Sequence, residues 1–211
     1  MIKAVIFDLD GVLVSTDHYH YLAWKKMADQ LHIPFDEKKN NELRGVSRME
    51  SLELILQQSH SDYSIEEKEN LASEKNEIYR QSLQQLTKAD LLPSVEKTLP
   101  LLAEKGIKLA IGSSSKNAPL ILQQVGLTEQ FTAIVDGNQI EKSKPHPEVF
   151  LKAGKQLGFD PHECLVVEDA VVGVEAAIQA GMKVAAMGDA KQHHLATYKI
   201  DTINELLDLL V

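Results

Sequence analysis

The stretch Ala4-Val5-Ile6-Phe7-Asp8-Leu9-Asp10-Gly11-Val12 decides the fold. Four apolar residues in a row, two of them β-branched, read as a strand buried on both faces, the kind found in the middle of a parallel sheet. The run ends in two carboxylates. Asp8 and Asp10 stand two apart where the strand gives out, so both can turn towards one crevice, and Gly11 lets the backbone leave sharply. In open α/β sheets that crevice, at the carboxyl ends of the strands, is where ligands bind. Two close carboxylates repel unless a cation or a proton lies between them, which suits metal binding or acid–base work. Standing alone, Asp-x-Asp-Gly would equally read as an ordinary turn.

The rest of the chain supplies the context. Residues 15–86 show no clear strand. A helix is predicted from Asp17 to Leu31, with Tyr21, Trp24, Met27, Ala28 and Leu31 on one face. Asp36 to Leu43 reads as a polar stretch, and Arg44-Gly45-Val46-Ser47 as a turn. Ser47 with Glu50, and Ser64 with Glu67, have capping-box spacing and open two more helices, the second running to about Leu86. From Leu91 onward, helical patterns alternate with short apolar runs at Lys108–Gly112, Ala133–Val135, Leu165–Val167 and Val184–Ala186, as in a parallel sheet built from βα units. Gly188–Thr197 reads as a polar loop. The expected fold is therefore α/β, a Rossmann-like parallel sheet core of residues 1–14 and 87–211 with an inserted α-helical cap domain of residues 15–86.

With 211 residues the chain can bury a proper core, and 44% apolar residues is ordinary for a globular protein. The formal charge of −9 argues against a nucleic-acid partner, which would need a basic face. Any anionic ligand must be held locally. Cys164 is the only cysteine, so an internal disulfide is excluded, in keeping with a reducing compartment. A chain that opens directly on a strand, with no membrane-length apolar run, is expected to be cytoplasmic, without a membrane partner and monomeric.

Four places on one rim of the sheet carry chemistry. They are Asp8-Leu9-Asp10, Ser113 after the second strand, Lys144-Pro145, and Glu168-Asp169 after the fourth. A carboxylate to attack, oxygen ligands for a hard cation, a fixed ammonium and a hydroxyl beside a helix start are the parts that phosphoryl transfer needs. Singly, each is an ordinary turn, surface lysine or helix cap; in this order they belong together.

In these motifs the chain resembles the haloacid dehalogenase superfamily, over essentially its whole length. The resemblance implies Asp8 as nucleophile through an aspartyl phosphate, Asp10 as general acid/base, and Ser113 and Lys144 as further catalytic groups. It also implies Mg²⁺ held by Asp8, Asp169 and the backbone carbonyl of Asp10, with Glu168 in support. Within the superfamily, Thr16–Trp24, Arg44-Gly45-Val46-Ser47-Arg48, Lys75-Asn76 and Ser113-Ser114-Ser115-Lys116-Asn117 are similar to the β-phosphoglucomutase family. That similarity implies a small-molecule sugar phosphate as substrate, with Arg48 on the phosphate distant from the nucleophile. Lys75, Ser114, Ser115, Lys116 and Asn117 would hold sugar or phosphate. Trp24, Gly45, Val46, Ser47 and Ser51 would complete the cap side, and Thr16 and His20 would lie beside the acid/base at the hinge. A sugar-phosphate phosphatase and a phospho-acceptor module remain as alternatives. Two departures stand out. Ser15 occupies a hinge position where an acid is usual, and Asp136-Gly137-Asn138 replaces the commoner Asp-Pro, which predicts a looser loop there.

Overall fold

The structure is a computed structural model that describes residues 1–59 and 61–210. Six parallel strands form one sheet in the order β3-β2-β1-β4-β5-β6. They are β1 (Ala4–Phe7), β2 (Lys108–Gly112), β3 (Ala133–Val135), β4 (Cys164–Glu168), β5 (Lys183–Ala186) and β6 (Tyr198–Lys199). The first strand is flanked by β2 and β4 in register, Ala4 opposite both Lys108 and Cys164. Alternate residues therefore feed two different cores. Val5 and Phe7 pack with Leu99, Ile121 and Leu206 on one face, and Ala4 and Ile6 with Phe150, Ala153 and Val174 on the other. Accordingly α5 (Val95–Glu104), α6 (Ala118–Gln124) and α9 (Leu206–Leu209) cover the first face, while α7 (Glu148–Leu157) and α8 (Val171–Gln179) cover the second. Cys164 is buried there, as its apolar setting predicts.

Between β1 and α5 run four helices: α1 (Asp17–Gln30), α2 (Glu37–Asn41), α3 (Arg48–Leu56) and α4 (Ile65–Leu83). Trp24, Met27 and Ala28 of α1, Leu52, Ile55 and Leu56 of α3 and Ala72 of α4 form a separate apolar cluster with Ile33, Phe35 and Leu43. Each large side chain so buried contributes about 1.5–3 kcal/mol. Both predicted capping boxes are formed, Ser47 with Glu50 and Ser64 with Glu67, each contributing about 1 kcal/mol.

The polar stretch at Asp36–Leu43 contains α2, started by the Asp36 carboxylate, which accepts from Lys39 N at 2.8 Å. The predicted looseness of Asp136-Gly137-Asn138 is a correction. Asp136 is buried and accepts from Asn138 N at 2.8 Å, and Asn138 Nδ2 donates to the Lys116 carbonyl at 3.0 Å. A side chain on Gly137 would run into the Ser114 carbonyl. That close approach ties the loop to the one after β2. The loop read at Gly188–Thr197 opens with a 3₁₀ turn at Gly188–Gln192 and leads into β6. Among the described residues no helix is long and apolar enough to cross a membrane.

Candidate active site

The crevice lies where strand order reverses, between β1 and β4. Asp8 follows β1 directly, with its N–H donated to the Val167 carbonyl at 3.0 Å, and Asp169 follows β4. Gly11, at φ +79°, turns the chain away from them, and a Cβ there would overlap the Asp169 carboxylate. Lys144 arrives from the loop after β3, next to a cis Pro145. Its Nζ donates to Asp8 Oδ1 and to Glu168 Oε1, both at 2.5 Å, and the group is fully buried. Burial disfavours its charge, but the two carboxylates outweigh this and raise its pKa. Glu168 Oε2 accepts from Ala170 N at 3.0 Å, so this acid is fully engaged. Burial lifts the Asp8 carboxyl to about 7, against the pull of Lys144. Ligand oxygens of Asp8, Glu168 and Asp169 lie within 4.8 Å of one another.

Asp10 faces a different neighbour. Its Oδ1 accepts from the Thr16 hydroxyl, and burial holds its carboxyl up at about 6 while that bond opposes the rise. Ser113 to Asn117 form the loop leading into α6; Ser113 Oγ accepts from Ser115 N at 3.1 Å, and Ser115 Oγ from Asn117 N at 3.2 Å. These bonds curl the loop so that its hydroxyls face the crevice. Ser114 Oγ is buried there without a partner among the described residues.

A cavity of about 990 Å³ opens above these groups, between the sheet rim and the four inserted helices. Asp8, Asp10, Ser113 to Asn117 and Asp169 form its floor. His20, Trp24, Gly45 to Arg48, Ser51 and Lys75 form its roof. Three residues read as site residues do not line it. Thr16, Lys144 and Glu168 stand one layer behind, holding Asp10 and Asp8.

The roof carries basic side chains. Lys75 Nζ is buried 2.9 Å from His20 Nδ1 and over the rings of Trp24, at 4.5 Å, and Tyr79, at 4.7 Å. Burial first, and then the field of Arg48, drives the Lys75 pKa well below that of a free lysine. Burial and then Lys75 likewise push the His20 pKa well below that of an ordinary histidine. The observed polar partner of His20 is thus Lys75, with Thr16 alone holding Asp10. Arg48, at the start of α3, is half-buried, and burial followed by the field of Arg80 lowers its pKa.

Roof and floor also touch directly. Asn117 Nδ2 donates to Asn76 Oδ1 at 2.9 Å, Asn117 Oδ1 accepts from Arg80 Nη1 at 3.2 Å, and Ser143 Oγ donates to Glu50 Oε2 at 2.5 Å. Arg44 pairs with Asp17 and reaches Asp189 Oδ2 at 3.6 Å. Sequence reading assigned no site role to Arg44, Glu50 or Tyr79 of the lining. Glu50 was visible only as a cap, and nothing in the sequence singles out Tyr79 within its helix.

Residues 5–187 match the family model described as haloacid dehalogenase-like hydrolase. The chain is 44% identical to the β-phosphoglucomutase of Bacillus subtilis over 191 residues, 90% of this chain and 84% of that one. It is 30% identical to a fructose-1-phosphate phosphatase of Escherichia coli over 178 residues, 84% of this chain and 92% of that one. The crystal structure of β-phosphoglucomutase from Clostridium difficile superposes with a TM-score of 0.91 at 40% identity, covering 98% of this chain and 93% of that one. The chain belongs to the haloacid dehalogenase-like hydrolase family.

Proposed function

We propose that the protein is a β-phosphoglucomutase, an isomerase that interconverts β-glucose 1-phosphate and glucose 6-phosphate. The observation that carries this reading is the roof of the cavity. Arg48 and Lys75 stand across from the Asp8–Asp10 floor, so one cavity offers an acceptor for a phosphoryl group at one end and a guanidinium with a lysine at the other. A molecule with a phosphate at each end of a hexose has that charge pattern. The similarity to two β-phosphoglucomutases supports the same substrate.

The same proposal takes residues 1–14 and 87–211 as the catalytic core and residues 15–86 as the cap, in keeping with the cap's separate apolar cluster. It also takes Mg²⁺ as the cofactor. Asp8, Glu168 and Asp169 offer only oxygen atoms, and the single ammonium of Lys144 leaves two of their three negative charges uncompensated. A hard divalent cation suits that set. Asp8, Asp169 and the Asp10 carbonyl would hold it, with Glu168 bracing from behind. When bound, Mg²⁺ offsets negative charge on the phosphoryl oxygens.

The residues then divide the work. A phosphoryl group carried on Asp8 passes to the 6-hydroxyl of bound β-glucose 1-phosphate, while Asp10 takes the proton of that hydroxyl. The resulting β-glucose 1,6-bisphosphate turns round. Asp8 attacks the phosphorus at carbon 1, the bond to the sugar oxygen breaks, and Asp10 returns its proton to that oxygen, leaving glucose 6-phosphate. Lys144 holds Asp8 in line, Ser113 and the backbone beside it receive the phosphoryl oxygens, and Arg48 grips the phosphate that is not reacting. The Asn117 and Glu50 bridges keep the cap shut, which favours a sugar hydroxyl over water as acceptor.

The test is product analysis with α- and β-glucose 1-phosphate, Mg²⁺ and a bisphosphate primer. The β-anomer is expected to give glucose 6-phosphate with little free phosphate, and the α-anomer to react poorly. Stoichiometric phosphate release without glucose 6-phosphate would replace the mutase by a sugar-phosphate phosphatase, the activity of one of the relatives.

A further inference from the structure

Two side chains of α4, one turn apart, close on a single residue of the floor. Asn117, buried just before α6, accepts from Arg80 Nη1 at 3.2 Å through its Oδ1 and donates from its Nδ2 to Asn76 Oδ1 at 2.9 Å. Asn76 and Asn117 line the cavity, whereas Arg80 is exposed and does not. The steps above give Arg80 nothing to do, and its guanidinium forms no ion pair among the described residues. An arginine spent on a neutral amide calls for an explanation. The bond between two amides has no inherent direction, since each carries an oxygen and an NH₂ group and either side can donate. Arginine has donors only. The Asn117 atom that faces it must therefore be the oxygen, which turns the Asn117 NH₂ group to Asn76 and in turn commits the Asn76 oxygen.

We propose that Arg80 is a positioning residue that sets the direction of this relay, so that the two amides offer N–H groups, and no free oxygen, to the phosphate held away from Asp8. This rests on the reading of the cavity as a sugar-phosphate site. With both oxygens engaged, what is left over is one N–H of Asn117 and the two of Asn76. A phosphate dianion only accepts, so it gains from these donors and is repelled by an amide oxygen in their place. Without Arg80 the pair is free to turn over. Asn76 then donates to Asn117 Oδ1, the bridge survives, and Asn76 presents its oxygen where an NH₂ group stood. Because Asn76 and Arg80 belong to the cap helix and Asn117 to the floor, the direction is set only while the two lie together, before the ligand has to be gripped.

Arg80→Met removes the donors and keeps an unbranched stem. It should raise KM for β-glucose 1-phosphate about tenfold, the worth of one good hydrogen bond to a charged group, and leave kcat within about twofold. The melting temperature should hold, since the bond between Asn76 and Asn117 survives in either direction. Phosphoenzyme formation from acetyl phosphate should keep its rate, because its single phosphate is taken at Asp8. Arg80→Lys, which also carries donors only, should keep KM within about threefold of wild type. In an Asn117→Ala background Arg80→Met should change KM no further. An unchanged KM in Arg80→Met overturns the proposal, as does an Arg80→Lys protein impaired as much as Arg80→Met. A rise that persists in full without the Asn117 amide also overturns it, by showing that the guanidinium charge acts on the phosphate directly. A parallel fall in melting temperature and acetyl phosphate reactivity does the same, by marking a purely structural role. Should the wild-type protein release phosphate in place of glucose 6-phosphate, the mutase reading fails separately. Arg80→Met is then read on KM for phosphate release, where an unchanged value overturns the proposal.

Discussion

Lys144 Nζ stands 2.5 Å from Asp8 Oδ1, joining a loop after the third strand to the end of the first across 136 residues of sequence. The pair is buried, and Glu168 shares the same ammonium. Removing one partner of a buried pair leaves uncompensated charge and costs roughly 3–5 kcal/mol. Lys144→Ala is therefore expected to lower unfolding free energy by about that much at neutral pH, and to abolish phosphoenzyme formation. Urea denaturation measures the first and mass spectrometry after acetyl phosphate the second. An unchanged denaturation midpoint would show that Asp8 and Glu168 find other partners.

Asp8→Asn should behave in the opposite way towards stability. It takes out one of the crowded acids and leaves Lys144 paired with Glu168. The variant is expected to melt no lower than wild type and to form no phosphoenzyme. Turnover at the wild-type rate would remove Asp8 from the mechanism.

The carboxylate cluster predicts a stability that responds to metal. Mg²⁺ added to chelator-treated protein should raise the melting temperature, with a stabilisation of about 2.7 kcal/mol once free metal reaches a hundred times its dissociation constant. Activity should vanish in EDTA and return with Mg²⁺. Asp169→Asn should lose both responses. Full activity in EDTA would exclude the metal.

Much of this arrangement was legible in the sequence, for a physical reason. Parallel strands buried on both faces must be apolar throughout, so Lys108–Gly112 and Ala133–Val135 coincide with β2 and β3. The acids and the lysine are conspicuous because buried charge is rare without function. What escaped lacks such a signature. The helix α2 has no apolar stripe and depends on the Asp36 cap, and β6 pairs only two residues at an edge. The tightness of Asp136–Asn138 comes from Lys116 and Ser114, far away in sequence. Tyr79 has the spacing of any core residue, and only three-dimensional placement sets its ring against His20 and Lys75.

Lys75 predicts a pH dependence of stability. Its folded pKa lies well below the ordinary lysine value of 10.5, chiefly through burial. Between the folded value and 10.5 the unfolded chain holds a proton that the folded chain has released, so stability rises with pH and is lost as pH falls. The slope is at most about 1.4 kcal/mol per pH unit for one proton. His20, also lowered by burial, adds the same sign only below 6.5. Asp8, Asp169, Cys164 and Tyr79, whose pKa values are raised, slope the other way, so the difference between wild type and Lys75→Met below pH 10.5 is what isolates Lys75. Lys75→Met should flatten the wild-type slope; equal slopes would mean that Lys75 keeps its proton on folding.

Arg48 separates the two halves of the proposed cycle. It lines the roof and makes no hydrogen bond or ion pair with the described residues, while the neighbouring guanidinium of Arg80 already depresses its pKa. A cation held beside another cation, half out of water, gains most from an arriving phosphate dianion. Acetyl phosphate has nothing to offer it, since its single phosphate is bound at Asp8. Arg48→Ala should accordingly leave phosphorylation by acetyl phosphate near the wild-type rate. The sugar phosphate, which needs both ends held, should lose kcat/KM at least ~30-fold, about 2 kcal/mol of transition-state stabilisation. Arg48→Lys keeps the charge but loses the two-pronged donor geometry, and should fall between the two. Stopped-flow phosphorylation and the coupled glucose 6-phosphate assay, run on the same preparations, read the two activities. An equal loss of both would place Arg48 in the support of the fold or of the Asp8 site, and the distal-phosphate role would be withdrawn.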